Sequence, residues 1–167
     1  GHTVIHNRAG ANMITGIITA FIAYTNITGT KKYDYAVLET DEANVPLVVN
    51  EVHPRLILIT NFFRDQLDRY GELDHTINMI KECIKDSHTG LVLNADDPLM
   101  AHFNQMDGIS RWYYGFSETE YDSGMGAESR EGRYCVICGQ ELRYARFHYA
   151  QLGKYECPGC HNRNPEP

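Results

Sequence analysis

Two tight cysteine pairs, Cys135-Val-Ile-Cys138 and Cys157-Pro-Gly-Cys160, are the residues whose type and spacing most directly imply chemistry. Each pair can present two sulfurs from one turn, and two such turns complete a tetrahedral site. Cys135, Cys138, Cys157 and Cys160 are therefore predicted metal ligands, with structural Zn2+ as the predicted ion in a small ribbon. A full thiolate shell leaves no open position for water or substrate, so the metal is expected to hold the fold rather than to catalyse. A thioredoxin-like redox site needs one pair beside a βαβ unit and fits two matched pairs in a polar tail poorly. Iron-sulfur ligation is the other metal reading. His148 and His161 are read as bystanders, since four cysteines already satisfy an ion. Cys83 stands alone beside a helix face and reads as a packed thiol.

A second set of chemically capable residues falls into three polar clusters. Glu39, Asp41 and Glu42 could hold magnesium through oxygen ligands, or could simply be a solvated strand end with capping acids. Asn61 and Asp65 could approach a nucleotide or a metal-bound water, with Arg64 and Arg69 facing phosphate; salt-bridged helix starts compete for Asp68 and Arg69. In Asn94-Ala95-Asp96-Asp97-Pro98, Asn94 and Asp96 are the expected inward groups and Asp97 the helix cap. No GxxxxGK[ST] phosphate loop is present, and Thr28-Gly29-Thr30-Lys31-Lys32 lacks its glycine spacing. No Ser-His-Asp arrangement is legible.

The elements that must position these clusters read as βαβ units. Thr3–His6, Tyr35–Leu38, Leu56–Ile59, Gly90–Leu93 and Arg111–Tyr114 are strand candidates, those at 35–38 and 56–59 as buried runs. Asn12 is expected to cap a helix with Met13, Ile17, Phe21 and Ile22 on its apolar face, and Leu73, Ile77, Ile80 and Ile84 mark another. Asp97-Pro98 predicts a helix start. The fold class is thus α/β: a mostly parallel sheet covered by helices, plus a small four-cysteine zinc ribbon. All three polar clusters lie at the carboxyl ends of predicted strands, where open α/β sheets place ligand crevices. Residues 117–133, rich in acids and glycine, read as a connecting loop. In the tail, Tyr134, Leu142, Tyr144, Phe147, Tyr149, Leu152 and Tyr155 supply a small apolar layer, with a turn expected at Leu152-Gly153-Lys154.

Composition sets the limits. The 167 residues are 43% hydrophobic, enough for one domain with a small appendage. The formal net charge of −7 disfavours a nonspecific nucleic-acid surface, although Arg143, Arg146, His148 and Lys154 form a local basic cluster. Paired CxxC spacing with an odd cysteine fits a reducing compartment. The apolar stretch Met13–Ala23 is too short to span a membrane and has no clear export cleavage site.

Leu38-Glu39-Thr40-Asp41-Glu42-Ala43, Ile59-Thr60-Asn61 with Arg64-Asp65-Gln66-Leu67-Asp68-Arg69, and Leu93-Asn94-Ala95-Asp96-Asp97-Pro98 resemble the central domain of the Mur ligase family. With His6–Met13 and the cysteine insert, the ordered motifs resemble its amidating branch over nearly the whole chain. That resemblance implies an ATP- and Mg2+-dependent ligase. The α-carboxylate of D-glutamate in lipid II would be activated as an acyl phosphate and amidated to D-isoglutamine by ammonia from a GatD-like glutaminase partner. It also implies Glu39 and Asp65 as catalytic positions, Glu39 with magnesium, and Asn61, Gln66, Asn94 and Asp96 as cofactor-binding lining. The family commonly has Asp-His where this chain has Asp65-Gln66, so a water-mediated or substrate contact is expected of Gln66.

The family phosphate loop precedes the region that begins here and a further domain follows it. The expectation is a partial central domain over 1–116, the loop 117–133 and the ribbon 134–167, inactive as an isolated fragment and cytoplasmic, acting at the inner membrane face. The competing readings are a zinc-ribbon protein- or RNA-binding module on an α/β scaffold, and another Mur-type amide ligase.

Overall fold

The apolar runs that end in polar clusters at 39–42, 60–61 and 94–97 become parallel strands. The computed structural model describes residues 1–8, 10–62, 72–116, 118–122 and 132–166, which divide into two compact units, Gly1–Pro54 and Arg55–Pro167.

In the first unit, β1 (Val4–His6) and β2 (Tyr35–Val37) pair in parallel, with Ile5 opposite Ala36. The intervening helix α1 (Ile14–Tyr24) buries Ile17 and Ala20 and packs on β1. Gly16 is required where the incoming loop crosses the helix: a Cβ there would lie 2.3 Å from the Ala11 carbonyl oxygen. The cap differs from expectation. Met13 occupies the N-cap without a side-chain bond, and Asn44 Oδ1 accepts from Ile14 N at 3.2 Å. Asn12 instead uses its carbonyl to accept from Asp41 N at 2.9 Å. β2 is exposed rather than buried, with Tyr35 55% and Val37 65% accessible, because it lies at the edge of a two-stranded sheet whose helix packs on the other strand. Helix α2 (Val45–Val52) was not anticipated: its β-branched run suggests a strand, but Pro46 at its start and the inward Val48 and Val49 make it helical.

In the second unit, β3 (Leu56–Ile59), β4 (Gly90–Asn94) and β5 (Arg111–Tyr114) form a parallel sheet in that order. Helix α3 (Glu72–Ile84) and a 3-10 helix (Pro98–Phe103) provide the crossovers. The core gathers Ile77, Ile80, Ile84, Leu91, Leu93, Met100 and Phe103, each at most 3% exposed, and Phe62 stacks on Phe103. Burying each such side chain contributes about 1.5–3 kcal/mol. On the opposite sheet face Leu56, Leu58 and Trp112 stay exposed, and Gly90 leaves room for the indole, 2.6 Å from where a Cβ would stand. Cys83 donates weakly to Ile80 O and burial raises its thiol, as expected of a packed cysteine. No helix among the described residues is long and apolar enough to cross a membrane.

The tail adds an antiparallel hairpin of β6 (Arg143–Tyr149) and β7 (Leu152–Glu156). Its turn is Ala150-Gln151, with Ala150 left-handed at φ 48°, not the expected Leu152-Gly153-Lys154. Gly153 lies within β7, where its missing side chain permits close strand approach. A Cβ there would sit 2.1 Å from the Arg146 carbonyl oxygen. Gly153→Ala should therefore destabilise the protein by about 1–3 kcal/mol, read as a lower urea midpoint at unchanged slope. A parent-like midpoint would show that the strands can separate without cost.

Candidate functional site

The acidic turn after β2 is built by asparagines. Asn7, buried at the end of β1, accepts from Glu39 N at 2.9 Å through Oδ1. Its Nδ2 donates to Glu39 O at 2.7 Å and to Ala11 O at 2.8 Å. Both main-chain groups of Glu39 are thus fixed, while its exposed carboxylate has no partner among the described residues. Asp41 is committed to structure: Oδ1 accepts from Ala43 N and from Asn44 Nδ2. Glu39 is thus able to offer both carboxylate oxygens to a hard divalent cation, whereas Asp41 has its Oδ1 engaged. Asn7 stands within the sequence motif His6–Met13, but its clamp on a residue 32 positions away leaves no local signal.

At the carboxyl ends of β3 and β4 the polar residues largely bond one another. Asn94 is buried; its Nδ2 donates to Thr60 O at 2.9 Å and its Oδ1 accepts from Asp96 N at 3.0 Å. Tyr114 Oη also reaches Thr60 O. Asp96, likewise buried, accepts from Phe116 N at 2.7 Å. Asn61 is half-buried, and its carboxamide has no hydrogen-bond partner among the described residues. The structure therefore brings Asn61, Asn94 and Asp96 to one sheet end. Asp65 and Gln66 lie outside the described residues, as do Arg64, Asp68 and Arg69.

Asp97 performs the expected capping, with Oδ1 accepting from Leu99 N at 3.0 Å. Its Oδ2 also accepts from Phe62 N at 3.1 Å, tying the exit of β3 to the start of the 3-10 helix. The carboxyl is fully buried, and desolvation pushes its pKa up to about 6 against the pull of those two N–H groups.

The four cysteines meet. Their sulfurs all lie within 4.8 Å of one another, Cys135 to Cys160 at 3.5 Å and Cys138 to Cys157 at 3.4 Å, a cluster that could hold a metal ion. The two knuckles have matching main-chain bonds: Cys135 N to Gln140 O and Gly139 N to Cys135 O in one, Cys157 N to Asn162 O and His161 N to Cys157 O in the other. Gly139 and His161 occupy equivalent left-handed positions at φ 75° and 58°. Backbone N–H groups of Cys160 and Gly159 help lower the Cys157 thiol, favouring the ligating thiolate.

The knuckles close a small core of Cys135, Leu142, Tyr155 and Cys157 and seat the hairpin on the exit of β4. Gly153 N donates to Asp96 O, and Asn164 Nδ2 donates to Ala95 O and Gly153 O, each at 2.9 Å. Neither His148 nor His161 joins the sulfur cluster. His148 is held by Asp122 at 2.7 Å, where bonds from Thr119 and then His148 keep the Asp122 carboxyl well below its usual range. Arg146 pairs with Glu118, so two members of the local basic cluster already face acids.

Residues 19–157 match the model of the Mur ligase middle domain. The chain belongs to the Mur ligase family. It is 41% identical over 164 residues to the lipid II isoglutaminyl synthase (glutamine-hydrolyzing) subunit MurT of Staphylococcus aureus, covering 94% of this chain and 36% of that protein. The MurT subunit of Streptococcus pneumoniae is 40% identical over 98% of this chain and 36% of its own length. The UDP-N-acetylmuramoylalanine–D-glutamate ligase of Chlorobaculum parvum is 32% identical over 65% of this chain and 22% of its own. Among solved structures, the pseudomurein peptide ligase type C of Methanothermus fervidus superposes at TM-score 0.66 and 25% identity, over 100% of this chain and 32% of that one. The chain spans about a third of the length of these MurT relatives. The mixed α/β fold with parallel sheets is that of a Mur ligase.

The buried Asp97 of this Mur ligase chain has a stability consequence. Because its carboxyl ionises less readily when folded, the folded state holds more protons between pH 3.8 and about 6, and stability falls as pH rises through that window. Measured against Asp97→Asn, the parent should lose about 3 kcal/mol across it, read by urea titration at several pH values. A parent-to-variant difference that does not change with pH would show that Asp97 ionises freely.

Proposed function

We propose that this chain is the central part of the ligase-like subunit of a lipid II isoglutaminyl synthase. It would serve to activate the α-carboxylate of D-glutamate in the peptidoglycan precursor for amidation. The observation that carries this reading is the 40–41% identity to MurT subunits over 94–98% of the chain. In the reaction, phosphoryl transfer from ATP turns a carboxylate oxygen into part of a phosphate leaving group. Ammonia attacks the carbonyl carbon, phosphate departs, and a proton is lost to give D-isoglutamine. ATP with Mg2+ supplies the phosphoryl group and the charge that stabilises its transfer.

The chain's own residues have distinct parts in this scheme. Asn7 holds the Glu39 backbone so that its free carboxylate can serve magnesium. Asn61 would offer its carboxamide to the nucleotide or acceptor, with Asn94 and Asp96 as further cofactor-binding lining. Asp65 is proposed, on family likeness, as a catalytic position and Gln66 as cofactor-binding lining through a water-mediated or substrate contact. The domains are read as 1–116, 117–133 and 134–167, and the isolated chain is expected to be inactive. A GatD-like glutaminase supplies the ammonia, and the enzyme works in the cytoplasm at the membrane face that carries the lipid-linked substrate.

Zinc suits the cysteine cluster: four thiolates around Zn2+ at ~2.3 Å have tetrahedral edges of ~3.8 Å, and the sulfur separations bracket that length. Four thiolates close the coordination sphere, so the ion's role is structural. Elemental analysis should find about one zinc per chain, with chelation melting the ribbon. Metal-free reduced protein with the parent's melting behaviour would exclude that role.

The reaction is tested in the full-length protein with lipid II, ATP, Mg2+ and ammonium. Mass spectrometry should detect conversion of one carboxylic acid to an amide, and Glu39→Gln should slow it on the order of 10²-fold. Ligation of an amino acid in place of amidation would assign the chain to another Mur branch. Unimpaired turnover by Glu39→Gln would remove that residue from the metal site.

A further inference from the structure

The exit of β3 is held at three successive peptide groups, and the last of these contacts comes from the cysteine-held hairpin. Thr60 O accepts from Asn94 Nδ2 and Tyr114 Oη. Phe62 N donates to Asp97 Oδ2, and Phe62 O accepts from Gln151 Nε2 at 2.8 Å, across 89 positions of sequence. Asn61, whose carboxamide has no hydrogen-bond partner among the described residues, lies between these anchors.

Gln151 is 1% exposed and occupies the hairpin turn. Its Oε1 is buried without a hydrogen-bond partner among the described residues, so the side chain makes less use of its polarity there than a buried carboxamide normally does. A methionine would fill similar volume without burying that oxygen, but it would leave the Phe62 carbonyl unmatched. The reverse amide orientation would set Oε1 against Phe62 O, so only Nε2 can make this contact. Gly132 and Pro98 crowd the same spot: a Cβ on Gly132 would come within 2.8 Å of both Gln151 Cβ and Pro98 Cγ, which limits the rotamers open to Gln151.

We infer that Gln151 is a positioning residue for the ligase reaction: from the ribbon's turn it fixes the exit of β3 and so sets the Asn61 carboxamide in the groove. The ribbon then has a task beyond its own stability, because the knuckles that hold the hairpin also aim Gln151. This inference rests on the reading of Asn61 given above.

The test is a double-mutant cycle in the full-length enzyme, with ATP varied and ammonium as nitrogen source. Gln151→Met should keep the parent's metal stoichiometry yet lower kcat/KM for ATP roughly 10- to 100-fold. Asn61→Ala should lose a similar factor, and the double variant should be no worse than Asn61→Ala alone, because Gln151 acts through Asn61. Additive losses, or parent-like kinetics for Gln151→Met beside an impaired Asn61→Ala, would overturn the inference and leave the ligase reading standing. A parent without ATP-dependent amidation would remove the ligase reading and the inference with it, whereas an unimpaired Asn61→Ala would remove the reading of Asn61 and, with it, the inference alone. Should Gln151→Met lose its metal, Gln151→Asn, which keeps the amide one methylene short, enters the same cycle. Parent-like kinetics for it would equally overturn the assignment.

Discussion

Four sulfurs within 4.8 Å of one another are a constraint that the second half of the chain is arranged around. As thiolates they repel unless a cation sits among them; as thiols they supply little cohesion for so small a core. The matching main-chain bonds of the two knuckles bring these sulfurs together from opposite ends of the hairpin. Once closed, that structure delivers Gly153 and Asn164 to the exit of β4 and Gln151 to the exit of β3. The ribbon is thereby joined to the carboxyl end of the sheet by directional hydrogen bonds.

The first unit reaches a comparable result without any cluster of thiols. Asn7 clamps the Glu39 backbone, the Asn12 carbonyl holds Asp41, Asp41 caps the turn at Glu42–Asn44, and Asn44 caps α1. Each contact is worth only about 0.5–1.5 kcal/mol, but together they leave one carboxylate presented on a backbone with little freedom. Fixing the peptide rather than the side chain keeps both Glu39 oxygens available.

Much of this was legible in the sequence, and the parts that were not share a cause. Strands β3 and β4 announce themselves as apolar runs that end in polar residues, and Asp97-Pro98 encodes its own cap and first turn locally. The cysteine pairs needed only spacing. The Asn12 cap failed because a residue 30 positions from Ile14 supplies the acceptor instead. The turn was misplaced because Gly153 is needed for strand approach, not for a bend, and Ala150 takes the left-handed position without a glycine to mark it. Asn7, Gln151 and Asn164 went unread for a related reason: a carboxamide that bonds a distant main chain has no periodicity and no motif of its own. The family likeness supplied the chemistry that local patterns could not, chiefly the significance of Glu39.

Gly90 and Trp112 give the molecule one further property. Trp112 is the only tryptophan in the chain, and its ring lies where a Cβ on Gly90 would stand, with Leu56 close by. One indole thus senses all three strands of the second sheet from a half-exposed face, apart from the thiol cluster. Its emission is a built-in optical gauge of strand register, able to distinguish loosening of the sheet from unfolding of the hairpin.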